Sequence, residues 1–477
     1  MERREFLRVV GLGASAALLA ACSAPAAQAP APTTAPAATT GAAPTAAPAA
    51  PGQPAAAATA APGGSKSNGQ KLTVWGWQSF TPEGDKALGD QMNQWGSANN
   101  TQVEYVVVEN SQFPSKLAAA VEAKAPPDVV MLTAAANVLD YAGRDLLVDI
   151  TDVWNDVSKQ AGGFWSYVQP LFKSGSAYYG IPFEADTSPL FARLDLIEKA
   201  TGSRDIPKTL DDLTAVTQKI NDPPNLYGLG FTLGRTPDCF GNTLNIIWND
   251  GGALVDKDGK VNLNTPETIS ALQRIKGWWD AKLIPPDSPT WDDTGNNNAY
   301  QKKQAAFVLN PPSIYGWMQQ NDQDLLNNST MANVPAGKSG SYSGSGSWSW
   351  SIFQSSKNVD GGKDLIRYLM DPQRLQAVYS QVGGRWYPIY QDGNKDEYWT
   401  SKPQFKFYPD LLQGGRDTSW PASPEPKLFA ALGEIQDRLI IPDMVQEIIV
   451  KGTAIPDAVK TAHDAMVEVF KARGANV

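Results

Sequence analysis

The sequence has a single histidine, His463, and two cysteines, Cys22 and Cys239, in 477 residues. One histidine rules out a multi-histidine metal site and makes any Ser-His-Asp triad depend on that residue alone. Two cysteines permit at most one disulfide, and no Cys-x-x-Cys pair occurs. Positive charge is also scarce. Lys and Arg total 40 against 49 Asp and Glu, a net charge of −9, so the basic stripe of a general nucleic-acid binder is missing. There is no His-Glu-x-x-His, no Gly-x-Ser-x-Gly and no nucleotide-binding glycine loop. Gly340–Gly346 is rich in Gly and Ser but lacks the lysine and helix of a phosphate loop, and reads as a flexible loop before a strand. These absences disfavour most hydrolytic, redox and zinc chemistry. Aromatic residues, in contrast, are plentiful: 15 Trp, 15 Tyr and 15 Phe within a hydrophobic content of 42%. That is enough for a sizeable core, and the length calls for more than one small domain.

The first 70 residues read separately from the rest. A short charged segment, MERREFLR, precedes an apolar stretch from Val9 to Ala21. About 13 residues suit a signal peptide and are short for a bilayer span. Leu19-Ala20-Ala21-Cys22 resembles a bacterial lipobox, and Arg3-Arg4-Glu5-Phe6-Leu7 resembles a twin-arginine export signal. The reading is a lipoprotein signal peptide over 1–21, exported by Tat or Sec, with Cys22 lipidated; the alternative is an uncleaved anchor helix. Residues 22–70 are rich in Ala, Pro and Thr, with Lys66 as their only charge. They bury too little apolar surface to offset chain entropy and form a disordered tether. Acylation of Cys22 leaves Cys239 a lone thiol, with no intrachain disulfide. The acidic body from Lys71 onward is placed outside the cytoplasmic membrane, anchored to it.

In that body, strands and helices alternate. Leu72–Trp77, Val103–Val108 and Asp128–Leu132 read as strands, and Pro82–Ala98, Ser115–Lys124 and Ala135–Gly143 as helices. Thr209 is an expected N-cap with Asp212 its capping-box partner, and Thr265-Pro266 opens a helix towards Lys282. Ala305–Leu309 and Ser347–Phe353 follow as strands, Asp360–Leu369 and Gln373–Gln381 as helices, and the chain is mainly helical from Lys427. This is α/β grammar with a mostly parallel sheet. No internal repeat is visible.

Seven segments occur in a telling order: KLTVWGW, PPDVVML, GIPFEADTSPLFARLDLIEKA, IIWNDGG, KKQAAFVLNPPSIYGW, VPAGKSG before GSWSW, and VGGRWYP. Together they resemble family 1 of the bacterial extracellular solute-binding proteins of ABC importers, the group that includes maltodextrin-type sugar binders. GSWSW departs from the group in having two Trp where small residues are commoner. The resemblance implies a two-lobed periplasmic-binding-protein fold, type II-like, with a hinge and a central ligand cleft. Residues 71–184 plus about 310–353 would form the N-terminal lobe, and about 187–309 plus 354–477 the C-terminal lobe. Crossings are expected near Phe183–Pro189, Asn310–Pro312 and Phe353.

Trp75 and Trp77 share one side of the first strand. With the resemblance, Trp77 becomes a ligand contact and Trp75 a core residue. Glu184 and Asp186 sit at the expected hinge, where carboxylates accept paired hydrogen bonds from sugar hydroxyls; the plainer reading is two hydrated surface charges. Trp248, Trp317, Trp348, Trp350, Arg385 and Trp386 complete the cleft candidates, each with core packing, or for Arg385 a surface ion pair, as its alternative. Trp278 and Trp279 are assigned to packing, and Asn296–Asn298 to a loop at a helix start. No catalytic residue, metal or cofactor is expected. The implied function is an extracytoplasmic substrate-binding lipoprotein, a monomer that binds a di- or oligosaccharide and delivers it to ABC permease transmembrane subunits. The rivals are a secreted glycosidase or lyase, and a receptor for a non-sugar solute such as a glycerophosphodiester.

Overall fold

The structure, a computed structural model, describes residues 71–477 except Ser111. The expected signal peptide, the lipidation of Cys22 and the 22–70 tether lie outside the described residues. The strands are β1 (Leu72–Trp77), β2 (Val103–Val108), β3 (Val129–Leu132), β4 (Lys173–Ser174), β5 (Ala177–Tyr178), β6 (Ile181–Pro182), β7 (Asp186–Thr187), β8 (Leu190–Arg193), β9 (Tyr227–Leu229), β10 (Ala305–Leu309), β11 (Ser329–Ala332), β12 (Ser345–Gly346) and β13 (Ser349–Ile352).

The first lobe is built on a five-stranded sheet in the order β2-β1-β3-β13-β6. β1 runs parallel to β2 and β3, whereas β13 is antiparallel to β3 and β6. Every residue of β3 is buried, as expected of a central strand covered on both faces. The Pro82–Ala98 helix begins with proline at its first position, where a missing N–H costs nothing. It packs on β2 and on the helices Val359–Leu369 and Pro372–Gln381. Gly76 lets β1 lie against Tyr105: a Cβ there would meet the tyrosine Oη at 2.5 Å.

The second lobe has a four-stranded sheet, β11-β8-β10-β9. β10 is parallel to β9 and antiparallel to β8, which also pairs antiparallel with β11. Helices pack around this sheet and each other, among them Leu210–Ile220, Pro237–Asp250 and Pro266–Asp280. Thr209 caps the first through the Asp212 N–H at 3.0 Å, a contact worth about 1 kcal/mol. Trp278 is buried in this core and donates from Nε1 to Thr214 Oγ1 at 2.8 Å, so its assignment to packing holds.

Three passes of chain link the sheets. β7 pairs antiparallel with β12, Ser345 opposite Thr187 and Gly346 opposite Asp186. Arg416 then bridges to Gly344, placing the third pass beside the second. After Asn310–Pro312 the chain divides its contacts: the Ser313–Asn321 helix sends Ile314, Tyr315 and Met318 into the first core, while β11 is held in the second sheet by its ladder to β8. One expected boundary is corrected. The segment after Phe353 does not join the second lobe directly. Its helices carry Leu365, Ile366, Leu369, Leu375 and Val378 into the first core, and only the Pro426–Asp437, Ile440–Ile449 and Ile455–Arg473 helices build the second. The lobes also meet away from these passes, where Arg473 pairs with Asp140 at 2.9 Å. The Pro426–Asp437 helix crosses Ala135–Gly143 closely, with a Cβ on Gly433 only 3.0 Å from that of Ala136.

Candidate functional site

The junction of the lobes gathers side chains from the ends of several elements. β1 ends in Trp77, half-buried on the same face as Trp75. Trp75 is not the core residue expected; it is half-buried too, with the Lys116 ammonium 4.9 Å over its ring. The Trp77 ring lies 5.2 Å from Phe113 and 5.9 Å from Trp348, the residue just before β13. Trp348 in turn meets Trp386 at 5.8 Å, and Phe183 touches Trp348, Trp350 and Trp386 at 6.5, 5.4 and 5.1 Å. Arg385 lays its guanidinium 5.1 Å from the Trp348 ring centre.

Onto this aromatic wall the β6–β7 link places two acids. Glu184 is 0% exposed. Its Oε1 accepts from the Trp348 N–H at 2.6 Å, while Oε2 has no partner. The expectation of a hydrated surface charge fails here, because the short link runs beneath Trp348 rather than over the surface. Asp186 accepts from Arg385 Nη1 at 3.0 Å. Arg385 is 5% exposed and its Nε is unpartnered, as are the hydroxyl of buried Tyr408 and Nε1 of Trp77 and Trp386.

The second lobe contributes two more acids. Asp238, in the first turn of the Pro237–Asp250 helix, accepts from Asn296 Nδ2 at 2.8 Å. Its own N–H donates to Asp293 Oδ1 at 3.1 Å. Asn296, expected in a loop, is buried in the Gly295–Gln301 helix and also donates to Asn310 Oδ1 at 3.0 Å. The electrostatics tie these groups into one site. Burial, then repulsion from Asp186, pushes the Glu184 carboxyl well above its ordinary range, with Arg385 opposing. Burial and Asp293 do the same to Asp238, which also feels Arg385 and Asp186. Asp293 is raised by burial, then by other carboxylates that include the exposed Glu109 at the end of β2. Burial, then the nearby Glu184 and Asp186, pushes up the phenols of Tyr167 and Tyr408 as well.

The structure thus brings together Trp77, Glu184, Asp186, Trp348, Arg385 and Trp386. It does not bring in the remaining candidates. Trp350 is fully buried at the centre of the first sheet, where β13 is flanked on both sides. Trp248 is buried in the second core with its ring edge against Gly344. Trp317 lies on the Ser313–Asn321 helix, packed against the first core. Residues that sequence reasoning passed over are Asp238, Asp293, Tyr167 and Tyr408, and Asn296 was assigned to a loop instead. Of these only Asp238 carried a local signal, a Thr-Pro-Asp helix start, which reads equally as dipole compensation. A groove of about 450 Å³ lies elsewhere, between the last two helices. Its Arg235 is already paired with Asp443 at 2.7 Å, and it offers no aromatic face.

Comparison with known proteins agrees with this architecture. Residues 79–374 match the family model of the bacterial extracellular solute-binding proteins. A Deinococcus radiodurans protein described as "Probable ABC transporter-binding protein" is 28% identical over 46% of this chain, and the match spans only 54% of that relative's own length. The arabinooligosaccharide-binding protein of Bacillus subtilis is 23% identical over 71% of this chain and 76% of its own. Among solved structures, a solute-binding protein of Thermotoga lettingae bound to α-D-tagatose superposes with a TM-score of 0.75. It is 20% identical, over 84% of this chain and 100% of that one. Maltose-bound MalE3 of T. maritima gives 0.74 at the same identity and coverage. Two α/β sheets joined by three adjacent passes, matched by a family model over more than half the sequence, lead to one conclusion: the chain belongs to the bacterial extracellular solute-binding protein family.

Proposed function

We propose that this protein is the extracytoplasmic substrate-binding component of an ABC importer, binding a di- or oligosaccharide between its lobes and delivering it to membrane permease subunits. The observation that carries this reading is the junction itself. Trp77 and Trp348 supply ring faces, and Glu184, Arg385 and Tyr408 supply buried polar atoms without partners. Such a mixture suits a sugar, which has apolar faces and a hydroxylated edge. The named ligands of similar proteins run the same way: arabinooligosaccharide, maltose, and laminaribiose in an Arthrobacter chlorophenolicus sugar transporter. Closure of the lobes would bend the chain at β7, β12 and Arg416, the three passes that connect them. Cys22 would carry the lipid that holds the protein at the membrane, with residues 22–70 as its tether. No chemistry is assigned to the carboxylates. The experiment is calorimetric titration of the 477-residue chain with a panel of mono-, di- and oligosaccharides, with each mixture chromatographed afterwards. Saturable heat with unchanged glycan supports the reading; cleaved glycan replaces it with a carbohydrate-active enzyme.

A further inference from the structure

We infer that Glu184 is a positioning residue for the binding site: in its neutral form its carboxyl holds Trp348 in the place where the ligand meets the aromatic wall. This rests on the saccharide-binding reading above and adds to it, whatever Oε2 itself gives a sugar. The geometry is that of a ladder with one rung replaced. β6 and β13 pair antiparallel with Ser349 opposite Pro182. The next rung begins normally, with the Phe183 N–H donating to the Trp348 carbonyl at 3.0 Å. In such a pair the Trp348 N–H would return to the Phe183 carbonyl. That carbonyl instead accepts from the Tyr379 hydroxyl, and the Trp348 N–H goes to Glu184 Oε1 at 2.6 Å. The Ser347 hydroxyl closes the loop by donating to the Glu184 carbonyl. One side chain thus fixes the main chain that carries the Trp348 ring, and that ring meets Trp77, Phe183, Trp386 and Arg385.

The same surroundings decide which form of the acid does this. Glu184 is 0% exposed, its Oε2 has no partner, and Arg385 gives its Nη1 to Asp186. A carboxylate there would keep a bare charge out of water, which is costly, whereas the neutral acid still offers Oε1 to the N–H. Asp186, two residues on, repels the anion, and Arg385 opposes that repulsion. Tyr167, Tyr379 and Tyr408 approach from three further helices, and burial pushes their phenols up, so they stay neutral. Once pH passes the raised range of Glu184, ionisation drives the carboxylate towards water. The Trp348 N–H then loses its acceptor and the ring its anchor.

The test follows pH on the full chain, from about 4.5 to about 9, with Glu184→Gln beside it. Maltose, laminaribiose and arabinotriose are the probes, with any tighter binder from the panel above added. The readout is the ratio of native to variant affinity, because Asp238 and Asp293 titrate in both. That ratio should fall with pH, approaching about tenfold per unit once the folded-state value of Glu184 is passed. Glu184→Ala, which has no acceptor for the Trp348 N–H, should bind at least about tenfold more weakly than Glu184→Gln. A second arm needs no sugar. The near-UV circular dichroism of the native protein should change over the same pH range, and the change should vanish in Glu184→Gln and shrink in Trp348→Phe. A ratio independent of pH, or a near-UV change undiminished in Glu184→Gln, overturns the positioning role and leaves saccharide binding standing. If no sugar binds, the saccharide reading falls, and the near-UV arm still decides whether Glu184 positions Trp348.

Discussion

Glu184→Gln isolates the charge of the buried acid from its shape. Glutamine keeps the length, the volume and the acceptor for the Trp348 N–H at 2.6 Å. The ionisable proton is lost, and an amide NH2 takes the place of the unpartnered Oε2. Burial raises the folded-state pKa of Glu184 well above the ordinary 4.5. The unfolded chain therefore ionises first as pH rises. The stability tied to the protonated group is fully present below about pH 4.5 and is lost as pH climbs through the folded-state value, at about 1.4 kcal/mol per pH unit. The glutamine has no such slope. The two proteins should be equally stable at about pH 4, with the variant ahead by about 1.4 kcal/mol at about pH 5.5. The gap should widen with the same slope until the folded-state value is passed. Urea unfolding followed by circular dichroism at several pH values measures it. A variant less stable near pH 7, or a gap independent of pH, refutes the reasoning and makes Glu184 a structural anion.

The other expectations are simpler. Trp278→Ala should destabilise by about 3–5 kcal/mol through a core cavity and the lost bond to Thr214, and leave saccharide affinity intact; thermal melts and calorimetry on one preparation separate the two. Trp350→Ala, a core change in the first sheet, should likewise lower the melting temperature. Cys239 is fully buried, and burial pushes its thiol up to about 12, so the native protein should react with a thiol reagent only after denaturation and should melt identically with or without reductant. Cys22→Ala should move the protein from membrane to soluble fractions with its melting curve unchanged.

Local signals set most of the fold. The helical spacing over Pro82–Ala98 matches the first helix to the residue, and Thr209 caps where a threonine three residues before an acid should. Sheet order was less legible. β11, Ser-Thr-Met-Ala, has no strand pattern of its own and pairs along the edge that β8 offers it. The tryptophans show the same limit. Trp348 and Trp350 alternate, but which of them faces a core depends on β13 lying between β3 and β6, a fact of topology rather than spacing. Glu184 reads as a surface charge until the link carrying it is seen to pass under Trp348. Asp238 and Asp293 are separated by dozens of residues and meet only through the fold of the second lobe.

The place of β13 also sets a schedule. β6 has β13 as its strand neighbour, and β3 keeps one flank open until β13 arrives. Ser349 meets Leu132 across 217 positions of chain. At ribosomal speeds of about 5–20 residues per second, roughly 10 to 40 s pass between the two being made. During that interval Val129–Leu132, wholly apolar, has an unpaired edge able to recruit another chain. The first lobe thus begins early but stays open until β13 is made, and the second waits longer still, for its helices up to Arg473. A chain halted before residue 349 should aggregate through that edge rather than accumulate as a folded half, and any route out of the cell that needs a finished fold must wait for β13.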